Sequence, residues 1–124
     1  MRQQAQGPEA LLPLTPAVFH ILLALADGEK HGYAIMKEVG QRSEGSVRMG
    51  PGTLYGSIRR MLASGLIEAT DERPDPELDD ERRRYYRLTS FGLRVAEAEA
   101  RRLDQLLQIA RIKQVLAPAQ GGFS

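Results

Sequence analysis

The sequence predicts a mainly α-helical protein with one small β-hairpin, and three observations carry that prediction. Two short helical stretches follow one another, from about Tyr33 and from Pro51, the second with one apolar and one polar face. Two strand-like stretches, Leu66 to Arg73 and Arg82 to Thr89, flank the punctuation Pro74-Asp75-Pro76. A long apolar seam then runs from Phe91 to Leu116. Two successive helices followed by a hairpin make a winged helix-turn-helix. The last helix is surplus to that unit and reads as a dimerisation helix.

In chain order, residues 1–13 are rich in Gln, Gly and Pro without a sustained period and read as a flexible arm with no chemistry. Thr15-Pro16 is a strong helix start, with Thr as N-cap and Pro at the first position. The helix that follows, Ala17 to about Asp27, carries Val18, Phe19, Ile21, Leu22, Leu23 and Leu25 and is apolar nearly all round. Such a helix is covered on more than one side, here by the domain's own core and by a second copy of the chain. Asp27-Gly28 ends it. His31-Gly32 leads into the helix from Tyr33 to Gly40, with Ala34, Ile35 and Val39 inward and Lys37 and Glu38 outward, and a polar connection runs on to Gly50.

Pro51 opens the helix on which the fold is centred, because its missing N–H costs nothing at the first position. Leu54, Ile58, Met61 and Leu62 form its buried stripe, and Thr53, Ser57 and Arg60 lie around the other side without an acid among them. A face of hydroxyls and guanidinium groups donates to phosphates and guanine edges and repels no polyanion. Gly52 and Gly56 each cost roughly 1 kcal/mol against Ala in a helix interior, which suggests that backbone there approaches something closely. Gly65 closes the helix in a Schellman-type cap with Leu66 against Met61. In the strands, Ile67 and Ala69 alternate with Glu68 and Thr70, and Tyr86 and Leu88 with Tyr85 and Arg87, so each has one face to bury. Thr89 or Ser90 caps the last helix and Pro118 lies past its end; over 26 residues it would be roughly 39 Å long. A helix of that length on a small domain implies a homodimer. Its seam is Leu93, Ala96, Ala100, Leu103, Leu107 and Ala110, joined by Phe19, Leu22 and Leu23 of the first helix. The expected division is a DNA-binding winged domain over 14–89, a dimerisation helix over 90–117 and a flexible tail over 118–124.

Composition narrows the function. A chain of 124 residues builds one core, not two. The absence of cysteine excludes a disulfide framework, a thiolate zinc site and a thiol nucleophile, and fits a reducing cytoplasm. The longest unbroken apolar run, Ile21 to Ala26, is too short to span a bilayer, and the start of the chain lacks a signal-peptide layout, so a soluble cytoplasmic protein without a membrane partner is expected. The net charge of +1 hides a segregation: Asp71 to Glu81 holds seven acids and one base, which leaves 16 basic against 9 acidic residues elsewhere, a balance of +7.

With these pieces in place the sequence resembles the PadR family of bacterial transcriptional regulators. The resemblance rests on Leu25 with His31-Gly32-Tyr33, on Gly50-Pro51-Gly52-Thr53-Leu54-Tyr55, on Leu62 with Gly65-Leu66-Ile67, and on Arg84-Tyr85-Tyr86-Arg87-Leu88-Thr89 with Gly92. It covers most of Thr15 to Gly92 and implies a short-form member: a dimeric winged-helix repressor that binds an inverted-repeat operator in double-stranded DNA and is often released by a small aromatic or otherwise hydrophobic effector. Two departures stand out. The wing tip, Asp75 to Glu81, is unusually acidic, so Arg82, Arg83 and Arg84 at the wing base are expected to make the contacts. The chain also lacks Trp, so an effector pocket would fall on Phe19, His20, Leu22 and Leu23 with residues of the last helix.

The expected DNA-binding set is therefore Gly52, Thr53, Tyr55, Ser57, Arg59, Arg60, Arg82, Arg83 and Arg84, with Tyr55 equally readable as a packing residue. His20 reads first as an interface or core histidine and secondarily as an effector contact, and His31 reads as a local cap. No spacing suggests a Ser, His and acid arrangement, a metal site or a cofactor site, and the acidic wing lacks the glycine and spacing of an EF-hand. An enzyme is the weakest reading. The rival class is a winged-helix module that binds protein through the apolar faces of the first and last helices.

Overall fold

Residues 7–70 and 84–119 are described by the structure, a computed structural model. Thr15 accepts a hydrogen bond from the Val18 amide at 3.2 Å and Pro16 occupies the first position, so α1 spans Pro16–Leu25 as its capping residues dictate. It ends where Gly28, at φ +143°, turns back to donate to the Leu25 carbonyl. Two residues, Lys30–His31, then form β1, a strand too short to leave a period in the sequence. His31 Nδ1 accepts from the Ala34 amide at 3.1 Å and caps α2, Gly32–Arg42, confirming its reading as a local cap. The helix centred on the polar face is α3, Pro51–Ala63. Its end is a Schellman motif: Leu66 donates to Met61 at 3.0 Å, Gly65 to Leu62 at 3.2 Å, and Gly65 has φ +80°.

The strands β2, Ile67–Thr70, and β3, Tyr85–Leu88, pair antiparallel with Ile67 opposite Leu88 and Thr70 opposite Tyr85. Strand β1 adds to the far side of β3, with His31 opposite Tyr85, so the hairpin expected from sequence is part of a sheet ordered β1-β3-β2. Tyr86 of the central strand is fully buried, and it joins Ile21, Leu22, Ile35, Leu54, Ile58 and Met61 in the core. Val95 and Ala96 of α4, Ser90–Ile112, join that core, where α4 packs on α1 and β3. Helix α4 is shorter than its apolar pattern suggests. Gln114 takes φ +64° and Val115 donates back to Ala110 at 2.8 Å, so 23 residues, about 35 Å, remain helical.

The N-terminal stretch departs from the expectation of a structureless arm. Pro8–Leu11 forms a turn of 3-10 helix that packs on α4, and Leu12 and Leu14 lie against the core. The anchor is Glu99, a carboxylate only 2% exposed. It accepts the Leu14 amide at 3.0 Å and takes Arg102 on both oxygens, at 2.6 and 3.0 Å. Residues 1–6 of the arm, residues 71–83 with the acidic wing tip and Arg82 and Arg83, and residues 120–124 lie outside the described residues.

Arg102, with the Leu14 amide, holds the Glu99 carboxyl below the usual carboxylate range against the upward push of burial. A folded-state pKa below the unfolded value contributes stability that is complete above about pH 4.3 and is lost as the pH falls from there through the folded value. Glu99→Gln is therefore expected to cost about 1–3 kcal/mol at neutral pH. In urea denaturation at a series of pH values, its deficit against the parent protein should shrink below about pH 4.

Candidate nucleic-acid interface

At 100° per residue, α3 sorts its side chains into two faces. Leu54, Tyr55, Ser57, Ile58 and Met61 are buried, and Gly52, Thr53, Arg59, Arg60 and Ala63 are exposed with Gly56 half-exposed between them. The outward stripe thus holds two guanidinium groups, a hydroxyl and two glycines, and no carboxylate.

Two residues of the expected DNA-binding set do not lie on the outward face. Ser57 is 2% exposed because it flanks the Leu54–Ile58–Met61 seam, and its hydroxyl accepts from Arg60 Nη2 at 3.3 Å. Its place in the site is to orient Arg60 from beneath. Tyr55 is 6% exposed, with its ring against Gly32 at the start of α2, where a Cβ would come within 2.7 Å of Tyr55 Cε1. Of its two sequence readings, packing is the one the geometry supports, with Gly32 of α2 among its partners. Gly32 is a positioning residue that the sequence reading named only within the stretch His31-Gly32-Tyr33 and did not place in the site.

The two glycines of α3 behave differently. A Cβ at Gly52 would meet nothing within 4 Å, and one at Gly56 would lie 3.7 Å from Arg60 Nη1, an ordinary contact. Neither glycine is required by packing among the described residues. Arg84 is exposed at the entry to β3, while Arg87, further along the strand, is bonded to Glu68 at 2.7 Å across the sheet. Arg82 and Arg83 lie outside the described residues.

The residues expected at the dimer seam and effector pocket also divide. Leu22 is 0% and Ala96 is 7% exposed, both in the chain's own core, so they have no surface left for a second copy. Both sit on the inner edge of their stripes, a distinction that periodicity cannot make. Leu23, Leu93, Ala100 and Leu107 are exposed, Leu103 and Ala110 half-buried, and Phe19 half-buried against the core. His20, Phe19 and Leu23 share the outer part of α1. The cleft at the end of that helix, about 400 Å³, is lined by other residues: Leu25, Ala26, Leu88 and Leu93 with Glu29 and Arg87 at its rim. Among the described residues no helix is long and apolar enough to cross a membrane.

Residues 21–98 match the Transcriptional regulator PadR-like family. Over 87 residues the chain is 36% identical to a transcriptional regulator of Mycobacterium tuberculosis, an overlap of 70% of this chain and 75% of that protein. It is 38% identical over 86 residues to a 37.1 kDa protein encoded in a transposon of Streptomyces fradiae, where the overlap is 69% of this chain and only 22% of that protein. Among solved structures, a PadR family transcription regulator from Clostridium difficile superposes with a TM-score of 0.65 at 23% identity, over 81% of this chain and 99% of that one. A PadR-like transcriptional regulator from Bacillus cereus gives a TM-score of 0.62 at 22% identity, over 90% and 96%. At those identities the likeness is one of fold, the winged helix.

The glycine geometry has a direct test in thermal denaturation. Gly56→Ala should leave stability unchanged or raise it by up to about 1 kcal/mol, through helix propensity alone. Gly32→Ala should lower it by about 1–3 kcal/mol, because the Tyr55 ring must move.

Proposed function

Because the chain belongs to the PadR-like family of transcriptional regulators, which are not enzymes, we propose that it acts as a homodimeric repressor on an inverted-repeat operator. The observation that carries this is the outward stripe of α3, two arginines, a threonine and two glycines with room to spare and no acid. Arg59, Arg60 and Thr53 contact phosphates and base edges, and the bare backbone at Gly52 and Gly56 lets the helix sit deep in the major groove. Ser57 orients Arg60 for that contact. Arg84, with Arg82 and Arg83 before it in the chain, grips the flanking backbone. The unit is the winged domain over 14–89, and its place of action is the cytoplasm, on the nucleoid when bound.

Dimerisation is assigned to the helix over 90–117. Past Ala100, α4 leaves its own domain and exposes Leu106, Leu107, Ile109 and Ile112, the last at 77%. Together with Leu23, Leu93 and Leu103 these form an apolar strip that water would otherwise cover, and a second copy is its occupant. Two α3 helices set one duplex turn apart, roughly 34 Å, then enter successive major grooves. A small hydrophobic or aromatic effector bound beside the seam, near Phe19, His20 and Leu23, would release DNA by favouring a different spacing, to the extent that it binds the two arrangements with different affinity.

Arg60→Ala is expected to cost about 1–3 kcal/mol of operator binding and to relax specificity at one position if it reads a guanine. An Arg59/Arg60 double alanine variant that binds DNA undiminished would refute the docking arrangement. Loss of salt dependence altogether would instead favour a protein-binding winged module. Leu107→Glu places a carboxylate in the seam and should shift the protein to monomer in sedimentation at micromolar concentration, with loss of operator binding.

A further inference from the structure

Helix α4 is tied to its own domain at three places along its first half. Its first turn is held by Thr89, whose hydroxyl accepts the Gly92 amide at 2.9 Å and donates to the Gly65 carbonyl at 2.6 Å. Val95 and Ala96 then pack into the core. The third tie is Glu99, and it is the last buried residue of the helix. From Ala100 to Ile112 every side chain is exposed or half-buried, so about 20 Å of helix runs on without a further buried anchor. Leu103, Leu106, Leu107 and Ile109 of the apolar strip all lie on that stretch.

Glu99 differs from the other ties in what it grips. Its Oε2 accepts the Leu14 amide at 3.0 Å, and Arg102 donates through Nε to Oε1 at 2.6 Å and through Nη2 to Oε2 at 3.0 Å. Leu14 precedes Thr15, the cap of α1, so the amide that Glu99 receives is fixed to the capped start of that helix. The 3-10 turn Pro8–Leu11 packs on α4, and Leu12 and Leu14 lie against the core, which holds the segment in place. Apolar packing has no preferred direction and tolerates a small roll or tilt of a helix. Three hydrogen bonds on one carboxylate do not.

We infer that Glu99, with Arg102 and the Leu14 amide, braces α4 at a fixed angle and so sets the separation of the two α3 helices in the dimer. The inference rests on the dimeric docking reading above, and adds to it the residues that decide which half-site spacing is bound. A swing of about 10° at Glu99 carries Ile112 through about 3.5 Å, close to the rise of one base pair. Two reading heads on a stiff link reach a high effective concentration at one spacing, whereas a loosened link lowers that peak and spreads it over its neighbours. A buried ion pair adds little stability over apolar side chains of the same volume. What Glu99 and Arg102 supply is direction, and they act as positioning residues without touching DNA.

The test uses the full chain and a duplex with two half-sites, enriched from a random library by the parent protein. One base pair is inserted or deleted between the half-sites, and a duplex with a single half-site serves as reference. Glu99→Met/Arg102→Met replaces the pair by apolar side chains and should keep the parent's melting temperature. The parent should lose about tenfold or more on either altered spacing. The double variant should match the parent on the single half-site, bind the enriched duplex about tenfold more weakly, and lose no more than about threefold further on the altered spacings. Glu99→Gln, which keeps an acceptor for the Leu14 amide, should discriminate less than the parent and more than the double variant, and it carries the decision if the double variant melts early. The inference is overturned if spacing discrimination stays at the parent's level, or if affinity falls equally on the single half-site and the full duplex, the mark of a merely structural role. A parent that binds every spacing alike, or that enriches single half-sites only, removes the paired reading itself and the brace with it.

Discussion

The carbonyl of Leu66 receives the Thr89 amide at 3.1 Å and stands so close to Gly92 that a side chain there would strike it. Thr89 completes the joint: its hydroxyl donates to the Gly65 carbonyl at 2.6 Å and accepts the Gly92 amide at 2.9 Å. Within a few residues this joint holds the end of α3, the end of the β2-β3 pair where Ile67 faces Leu88, and the first turn of α4. The left-handed turn at Gly65, the cap at Thr89 and the missing side chain at Gly92 are three requirements of one junction. A displacement of α4 is thus delivered to the end of α3 with little slack.

The other end of α3 is set by a different contact. Tyr55 fills the space that Gly32 leaves, so the start of α2 and the middle of α3 lock at a fixed separation. His31 serves the same place three ways, as a residue of β1, as the cap of α2 and as a ring between Tyr33 and Tyr85. Sheet, helix start and α3 consequently move as one block, and the exposed charged residues of the sheet, its Arg84 entry and α3 are Arg59, Arg60, Arg84 and Arg87 against Glu68. Side chains that look polar in sequence, such as Ser57, go underneath as supports for the arginines above them.

Charge is segregated by element. Arg87 and Lys30 are neutralised where they sit, by Glu68 and by Asp27 with Glu38, and Glu99 is turned inward on Arg102 and the Leu14 amide. The outward stripe of α3 carries Arg59 and Arg60 and no carboxylate of its own. The apolar excess is segregated too, on the half of α4 that projects past its own domain.

The local features were legible in the sequence itself. The caps at Thr15 and Thr89, the Schellman turn at Gly65, the proline at the start of α3 and the periods of the helices depend on residues within one or two turns of each other, so the linear order suffices to determine them. The winged architecture followed from the order of those elements, and the charge segregation from composition alone. Tertiary structure decided which edge of each stripe is covered: it took Leu22 and Ala96 from the seam into the core, Ser57 from the outward face to its underside, and settled Tyr55 on packing. It also added β1 to the sheet and laid Pro8–Leu11 along α4 through Glu99. Each of these rests on a partner distant in sequence, Leu14 with Glu99, Gly32 with Tyr55, His31 with Tyr85, and a periodicity of 3.6 or 2 says which side of an element is apolar without saying what will come to lie against it.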